Sequence, residues 1–244
     1  MTVDFWGTLL IDPPSSDDRY KRRRMADFEK ILAAAGFRVP RRALDAGYEA
    51  SSAYLARIWR DRTDVPVQGH VSAILAAADR DLPWRVGPDV MTELVDAYAG
   101  PALLVPPDVD PGARSALEAL AARGYTLAVV SNTMRTPGVV LRKILERYGL
   151  LGFFKHTTFS DEVGFRKPAP EIFALALRAV GGQPSAAVHV GDDVTLDVGG
   201  ARAAGMRAIH VTGAPGRSPA ELTADAIIPS LRELPAAVAR LDAD

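Results

Sequence analysis

The sequence predicts an α/β protein, a doubly wound parallel sheet whose short first strand is followed by an all-helical insert. Three observations predict it. The runs Thr126-Leu127-Ala128-Val129-Val130, Ala187-Val188-His189-Val190 and Ala208-Ile209-His210-Val211 lack polar alternation, as parallel strands buried on both faces do. Beyond about residue 106 such runs alternate with helical patterns, the order that builds a parallel sheet. Residues 14–100 show only helical periodicity between Pro- and Gly-bearing turns.

Taken in order, Val3-Asp4-Phe5-Trp6-Gly7-Thr8-Leu9-Leu10-Ile11 is an apolar strand that ends in a carboxylate, turns through a glycine and resumes as an apolar run. Only Met1 to Val3 precede Asp4, a short first strand that leaves open a start further upstream. Asp12-Pro13-Pro14-Ser15-Ser16-Asp17-Asp18 reads as a linker whose last residues can cap a helix. Across residues 19–36, Met25, Phe28, Ile31 and Leu32 recur at helical spacing and Gly36 suits a C-terminal cap. The run Lys21-Arg22-Arg23-Arg24 in this helix is expected to be a solvated face. Helical patterns continue over 41–60, 70–79 and 88–98.

The character changes at Pro106-Pro107-Asp108. Residues 111–123 form a helix stopped by Gly124, and the first buried run follows it. Helix 137–148 leads to a short strand near Phe159. Helix 170–180 opens on Pro170 and closes at Gly181-Gly182, the usual asymmetry of helix ends. A small-residue helix running to Gly205, then an edge strand at Ala226-Ile227-Ile228 and a terminal helix, complete the chain. Residues 1–13 and 100–244 are expected to form the sheet domain, and 14–99 the insert.

The chain has 244 residues, 48% of them hydrophobic and 24% charged, with a net charge of -1. That is the profile of a globular protein with no general attraction to nucleic acid or to a membrane surface. It holds no cysteine, which excludes thiolate catalysis and cysteine metal sites. With no signal-like segment or long apolar run, a soluble cytoplasmic protein is the default expectation, as a monomer or a homodimer.

In a doubly wound sheet the residues after each strand converge on one edge, where ligands bind. Those residues are Asp4, then Ser131-Asn132-Thr133, then Gly191-Asp192-Asp193 with Asp197 a helical turn beyond. Gly164-Phe165-Arg166-Lys167-Pro168-Ala169-Pro170 sets a lysine just ahead of a helix. Each has an ordinary reading alone: turn formers, a surface ion pair, a helix cap. As an ordered set they resemble the haloacid dehalogenase superfamily over nearly the whole chain. That family carries an aspartate nucleophile after strand one, a Ser or Thr after strand two, a Lys before a helix, and a Gly-Asp pair with a further Asp. Lys167-Pro168-Ala169-Pro170-Glu171-Ile172-Phe173 and Gly199-Gly200-Ala201-Arg202-Ala203-Ala204-Gly205-Met206 are similar to the family almost letter for letter.

The resemblance implies a Rossmann-like core with a helical C1-type cap, and hydrolysis of a small phosphorylated metabolite through an aspartyl-phosphate on Asp4. It implies Mg2+ held by Asp4, the Trp6 carbonyl and Asp192, with Asp193 or Asp197 in support. Thr8, Ser131, Asn132 and Lys167 are expected to hold the substrate. Physical chemistry supports these roles: a carboxylate can form a covalent intermediate that water resolves, and phosphoryl transfer needs its charge neutralised. Several carboxylates at one edge also call for cations, which Lys167 and a divalent metal supply. His70, His156, His189 and His210 match no role, and the last two, inside strands, are expected to be packed core residues.

The pattern is broken at Trp6. The family's phosphatases carry there a second Asp, which protonates the leaving oxygen and then activates water. Indole is no practical acid or base, and losing such a group typically costs about 10²–10⁴ in rate. Three readings follow: a magnesium phosphatase that is slow, suited to leaving groups that need no proton, or supplied with its acid by the cap; a carbon–halogen hydrolase; or a degenerate member that binds a phosphorylated ligand or a protein partner without turnover. The dehalogenase branch of the family carries an aromatic Tyr at this position and uses a cap arginine for halide, for which Arg38, Arg41 and Arg42 are candidates.

Overall fold

Asp4 follows a two-residue strand, β1 (Thr2–Val3), that lies inside a six-stranded parallel sheet. The computed structural model describes residues 1–12, 16–213 and 224–243. Residues 13–15 of the expected linker lie outside them. β2 (Leu10–Ile11) leads to six helices, α1 (Ser16–Ala34), α2 (Arg41–Arg60), α3 (Val67–Ala78), α4 (Leu82–Arg85), α5 (Pro88–Ala99) and α6 (Pro101–Leu104). The chain returns through β3 (Asp108–Val109), α7 (Ala113–Ala122), β4 (Leu127–Ser131), α8 (Gly138–Arg147), β5 (Phe154–Phe159), α9 (Ser160–Val163) and α10 (Pro170–Val180). It ends with β6 (Val188–Gly191), α11 (Gly200–Ala203), β7 (Arg207–Val211), β8 (Ala226–Ile228) and α12 (Leu234–Ala243). Between β6 and α11, residues Val194–Gly199 form a π-type turn rather than the expected regular helix.

The sheet order is β5-β4-β1-β6-β7-β8. After β1 the chain builds outward on one side through β4 and β5, then crosses to the other through β6, so β1 sits at the reversal, where such sheets bind ligands. β4 and β6 are buried along their whole length. Neighbouring residues still serve opposite faces: Val129 joins the cluster with Leu117, Leu141 and Ile209, while Val130 joins Phe173, Val198 and Ala208. α1 to α5 enclose a third cluster of their own around Phe28, Leu44, Ile74 and Tyr98. Among the described residues no helix is long and apolar enough to cross a membrane.

Three further features depart from the sequence reading. Leu10 and Ile11 pair antiparallel with Val109 and Asp108, so a small second sheet ties together the segments leading to and from the helices. Two-residue strands are too short for any periodicity to reveal. Helix α1 begins at Ser16, ahead of the expected Arg19. The basic run is not one solvated face. Lys21 and Arg23 pair with Glu49 and Asp27, but Arg24 is fully buried, donating to the carbonyls of Tyr98 (2.7 Å) and Arg135 (2.7 Å). Its guanidinium also stacks on the Tyr98 ring, 4.5 Å from the centroid. In return, Arg135 reaches from the sheet side to the Tyr98 hydroxyl (2.9 Å), Ser51 (3.1 Å) and Ser52 (2.7 Å).

A second seam joins the α2–α3 loop to the segment before α10. Asp64 donates its amide to the Gly164 carbonyl (3.0 Å), and Arg166 donates its own to the Arg62 carbonyl (2.9 Å). The Asp64 carboxylate takes a 2.5 Å bond from Arg166 Nη1 and another of 2.5 Å from Ser160 Oγ, all three groups being buried. Asp64→Ala leaves the guanidinium buried without its counter-charge. It is expected to destabilise the fold by about 3–5 kcal/mol, read as a lower urea midpoint.

Candidate active site

Asp4, Ser131 and Asp192 stand at the carboxyl ends of β1, β4 and β6, so the sheet itself brings them together. Their backbones can meet only because two glycines make room. A Cβ at Gly7, whose φ is +72°, would lie 2.2 Å from Asp192 Oδ2. One at Gly191 would lie 2.2 Å from the Asp197 Cγ. Neither position accepts a side chain without moving an acid.

Lys167 is the hub. Its buried Nζ lies 2.6 Å from Asp4 Oδ1 and 2.5 Å from Asp197 Oδ1. Burial pulls the ammonium down, yet the Asp197 and Asp4 carboxylates outweigh it and leave Lys167 above its usual range. Asp197 would be raised by burial, but Lys167 and His189 overturn that and hold it well below an ordinary carboxylate. For Asp4 burial wins, lifting its carboxyl above the usual value despite Lys167. The ion pair is thus uneven: Asp197 is the settled partner, and Asp4 the carboxylate held at a cost.

The remaining predicted residues divide by what their side chains do. Ser131 Oγ is buried and has no hydrogen-bond partner among the described residues, which leaves it open to a ligand oxygen. Asn132 and Thr8, expected on the substrate, are engaged within the protein. Asn132 brackets the Lys167 backbone, donating to its carbonyl (3.0 Å) and accepting from its amide (2.8 Å). Thr8 donates to Asp192 Oδ1 at 3.1 Å. Asp193, expected near the metal, caps the following turn, its Oδ1 accepting from the amides of Thr195 (2.9 Å) and Leu196 (2.8 Å). Trp6 packs edge-on to Phe5, ring centroids 4.9 Å apart, and its indole nitrogen is buried with no partner among the described residues.

Asp4, Asp192 and Asp197 are all buried and offer oxygens within 4.8 Å of one another, a cluster able to hold a metal ion. Three buried carboxylates against one lysine leave negative charge in excess, and hard oxygen donors suit a hard divalent cation. Both Asp197 oxygens already accept hydrogen bonds, Oδ1 from Lys167 and Oδ2 from the Asp193 amide (2.9 Å). Asp4 and Asp192 are therefore the carboxylates that fit the cation best.

Two residues expected to be inert packing prove to support this site. His189 Nε2 lies 3.0 Å from Asp197 Oδ1, and His210 Nε2 lies 3.0 Å from the Asp192 carbonyl. The available signal was physical: an imidazole in an otherwise apolar buried strand needs a polar partner. His156 is exposed, and His70 is buried against the Tyr98 hydroxyl, its burial pushing the ring down to about 4. Arg38 and Arg42 are exposed and Arg41 pairs with Asp45 at 3.1 Å, so none of the three is held against the sheet domain.

Comparison with known proteins gives these positions a context. A family model described as haloacid dehalogenase-like hydrolase matches residues 2–205. A glyceraldehyde 3-phosphate phosphatase of Methanothermobacter thermautotrophicus is 42% identical over 103 residues, 41% of this chain and 43% of that protein. The chain spans about half the length of the curated relatives it matches. Among solved structures, a 2-haloacid dehalogenase from Pseudomonas syringae pv. Tomato DC3000 superposes with a TM-score of 0.68 at 26% identity, covering 98% of this chain and 97% of that one. A HAD phosphatase from Thermococcus onnurineus gives 0.60 at 26% identity, with coverages of 97% and 96%.

Proposed function

The chain belongs to the haloacid dehalogenase-like hydrolases, and from that premise we propose that it is a magnesium-dependent phosphatase acting on a small phosphorylated metabolite. The observation that carries this reading is the buried cluster of Asp4, Asp192 and Asp197 around Lys167. A reaction that releases halide has no need of so many carboxylates, whereas phosphoryl transfer uses a bound cation. The similarity to a phosphatase at 42% identity supports the same reading.

In this reading an Asp4 oxygen attacks phosphorus, the bond to the leaving oxygen breaks, and the electron pair departs with that oxygen. Water then attacks the aspartyl-phosphate at phosphorus, the bond from phosphorus to the Asp4 oxygen breaks, and the electron pair restores the carboxylate while the water's protons leave on the released phosphate. Lys167 and the Ser131 hydroxyl hold the equatorial oxygens. Asp197 keeps Lys167 in reach, Asn132 fixes its backbone, and Thr8 orients Asp192. Mg2+, held by Asp4, Asp192 and the Trp6 carbonyl, would supply the balance of positive charge to the transferring group. Residues 14–99 would act as the cap that encloses the substrate, on a core of 1–13 and 100–244. Trp6 offers no proton, so leaving groups that depart as stable anions are favoured.

A second reading, carbon–halogen hydrolysis on Asp4, draws on the aromatic residue at position 6 and on the dehalogenase likeness. Arg38, Arg41 and Arg42 do not supply its cap arginine, and the buried Arg24 spends its guanidinium on Tyr48, Tyr98 and Arg135. Phosphate release from para-nitrophenyl phosphate, with magnesium and after its removal by EDTA, separates the two. Turnover that EDTA abolishes and magnesium restores is the expected result. Halide release from a 2-haloacid, unaffected by EDTA, would replace the phosphatase reading.

A further inference from the structure

We infer that His189 is a positioning residue for Lys167, acting through Asp197. The inference rests on the reading above for the role of Lys167, and its evidence is a single buried chain of contacts. Thr2 Oγ1 lies 2.8 Å from His189 Nδ1, His189 Nε2 lies 3.0 Å from Asp197 Oδ1, and that oxygen lies 2.5 Å from Lys167 Nζ. Lys167 in turn lies 2.6 Å from Asp4. Thr2, His189, Asp197 and Lys167 are each at most 3% exposed, so water does not compete for these bonds.

The chemistry assigns the hydrogens. An ionised carboxylate can only accept, so His189 Nε2 carries the hydrogen that joins it to Asp197. The Thr2 hydroxyl faces Nδ1 and can donate to it, which favours that placement of the proton. The ring itself is fixed from the side by Phe173, edge-on at 5.0 Å between centroids. His189 therefore presents a donor that the neighbouring packing does not allow to turn away.

The donor matters because Asp197 Oδ1 is shared. It accepts from both His189 and Lys167, while Oδ2 is held by the Asp193 amide. With two donors on Oδ1, its pull on the ammonium is moderated, and Lys167 stands between Asp197 and Asp4. Without the imidazole, Oδ1 would lose the donor that fixes its direction, and the carboxylate that holds Nζ 2.5 Å away would no longer keep the ammonium in one place between Asp197 and Asp4. Orienting partners of this kind typically matter by 10–100-fold in activity.

The test compares His189→Phe, which keeps an aromatic ring against Phe173, with His189→Gln, whose amide can reach Asp197 as a donor. For the phosphatase, His189→Phe is expected to lower kcat/KM by roughly 10–100-fold, and His189→Gln to recover most of that loss. Equal rates in wild type and His189→Phe, or equal losses in both variants, would overturn the inference. Two resonances decide it without turnover. In the ring ¹⁵N spectrum of the wild type, Nε2 is expected to be protonated, and a bare Nε2 would overturn the inference even if neither variant folds. The Lys167 ¹⁵Nζ resonance is expected to move in His189→Phe and to return toward wild type in His189→Gln. A wild-type enzyme inert on phosphate esters would remove the phosphatase reading, while both resonances would still judge this one.

Discussion

Asp4→Asn is expected to lower turnover of para-nitrophenyl phosphate by about 10⁴-fold or more, the scale on which losing a nucleophile acts. An amide keeps the shape of the side chain but cannot form the acyl phosphate. The loss should not come from unfolding. Burial raises the Asp4 carboxyl above its ordinary value, so the folded state favours the protonated form and ionisation near neutral pH works against folding. In the metal-free protein at pH 7 the neutral amide should therefore leave the thermal midpoint unchanged or raise it. Phosphate release and a melting curve on the same preparation check both halves. A variant that keeps activity within tenfold of wild type would remove Asp4 from the role of nucleophile.

Trp6→Asp carries the largest expected gain. In the proposed mechanism the side chain two residues beyond Asp4 is the one that would serve the leaving oxygen with a proton, and indole cannot do so. Supplying a carboxyl group there is expected to raise turnover of alkyl phosphates by about 10²–10⁴-fold. In kcat/KM, which reports only the steps up to the aspartyl-phosphate, para-nitrophenyl phosphate should gain little, since its leaving group departs without a proton; the later water step is common to both esters and enters kcat alone. The ratio of the two rates is the diagnostic quantity, because it cancels any change in the amount of folded enzyme. That protection is needed: the substitution removes a ring packed on Phe5 at 4.9 Å. An alkyl-phosphate rate that stays level or falls would count against the missing acid as the reason for selectivity.

Much of this architecture was legible because its signals are local. Buried parallel strands announce themselves as unbroken apolar runs, and the residues that follow them must meet at one edge. That logic places Asp4, Ser131 and Asp192 at one edge with Asp197 a turn beyond, while Lys167 joins them through the string ahead of its helix that resembles the family. What a side chain does once it arrives is a different matter. Asn132 and Thr8 stand beside the site, yet they hold Lys167 and Asp192, because which of several neighbours lies in reach is decided by side-chain direction. His189 and His210 carried a cost argument, a polar ring in an apolar strand, but no indication of the partner. Arg24 was readable in principle. Four consecutive cations on a helix point almost all the way round it, and Arg24 is four residues before Phe28, on the inward face. The pairing of Leu10–Ile11 with Asp108–Val109 had no such trace.

The Asp64–Arg166 pair has a consequence for anyone recombining this protein with a relative. The helices between β2 and β3 have their own apolar cluster and are tied at a narrow antiparallel stem, the features of a part that can be exchanged whole. Yet Arg166 is the residue immediately before Lys167, and its partner belongs to the part that would be exchanged. A chimera that brings in a foreign helical segment with no acid at the position of Asp64 would strand a guanidinium next to Lys167. Transplants should therefore be chosen, or repaired, as matched pairs across that boundary, with the residue at 64 and the residue at 166 moving together.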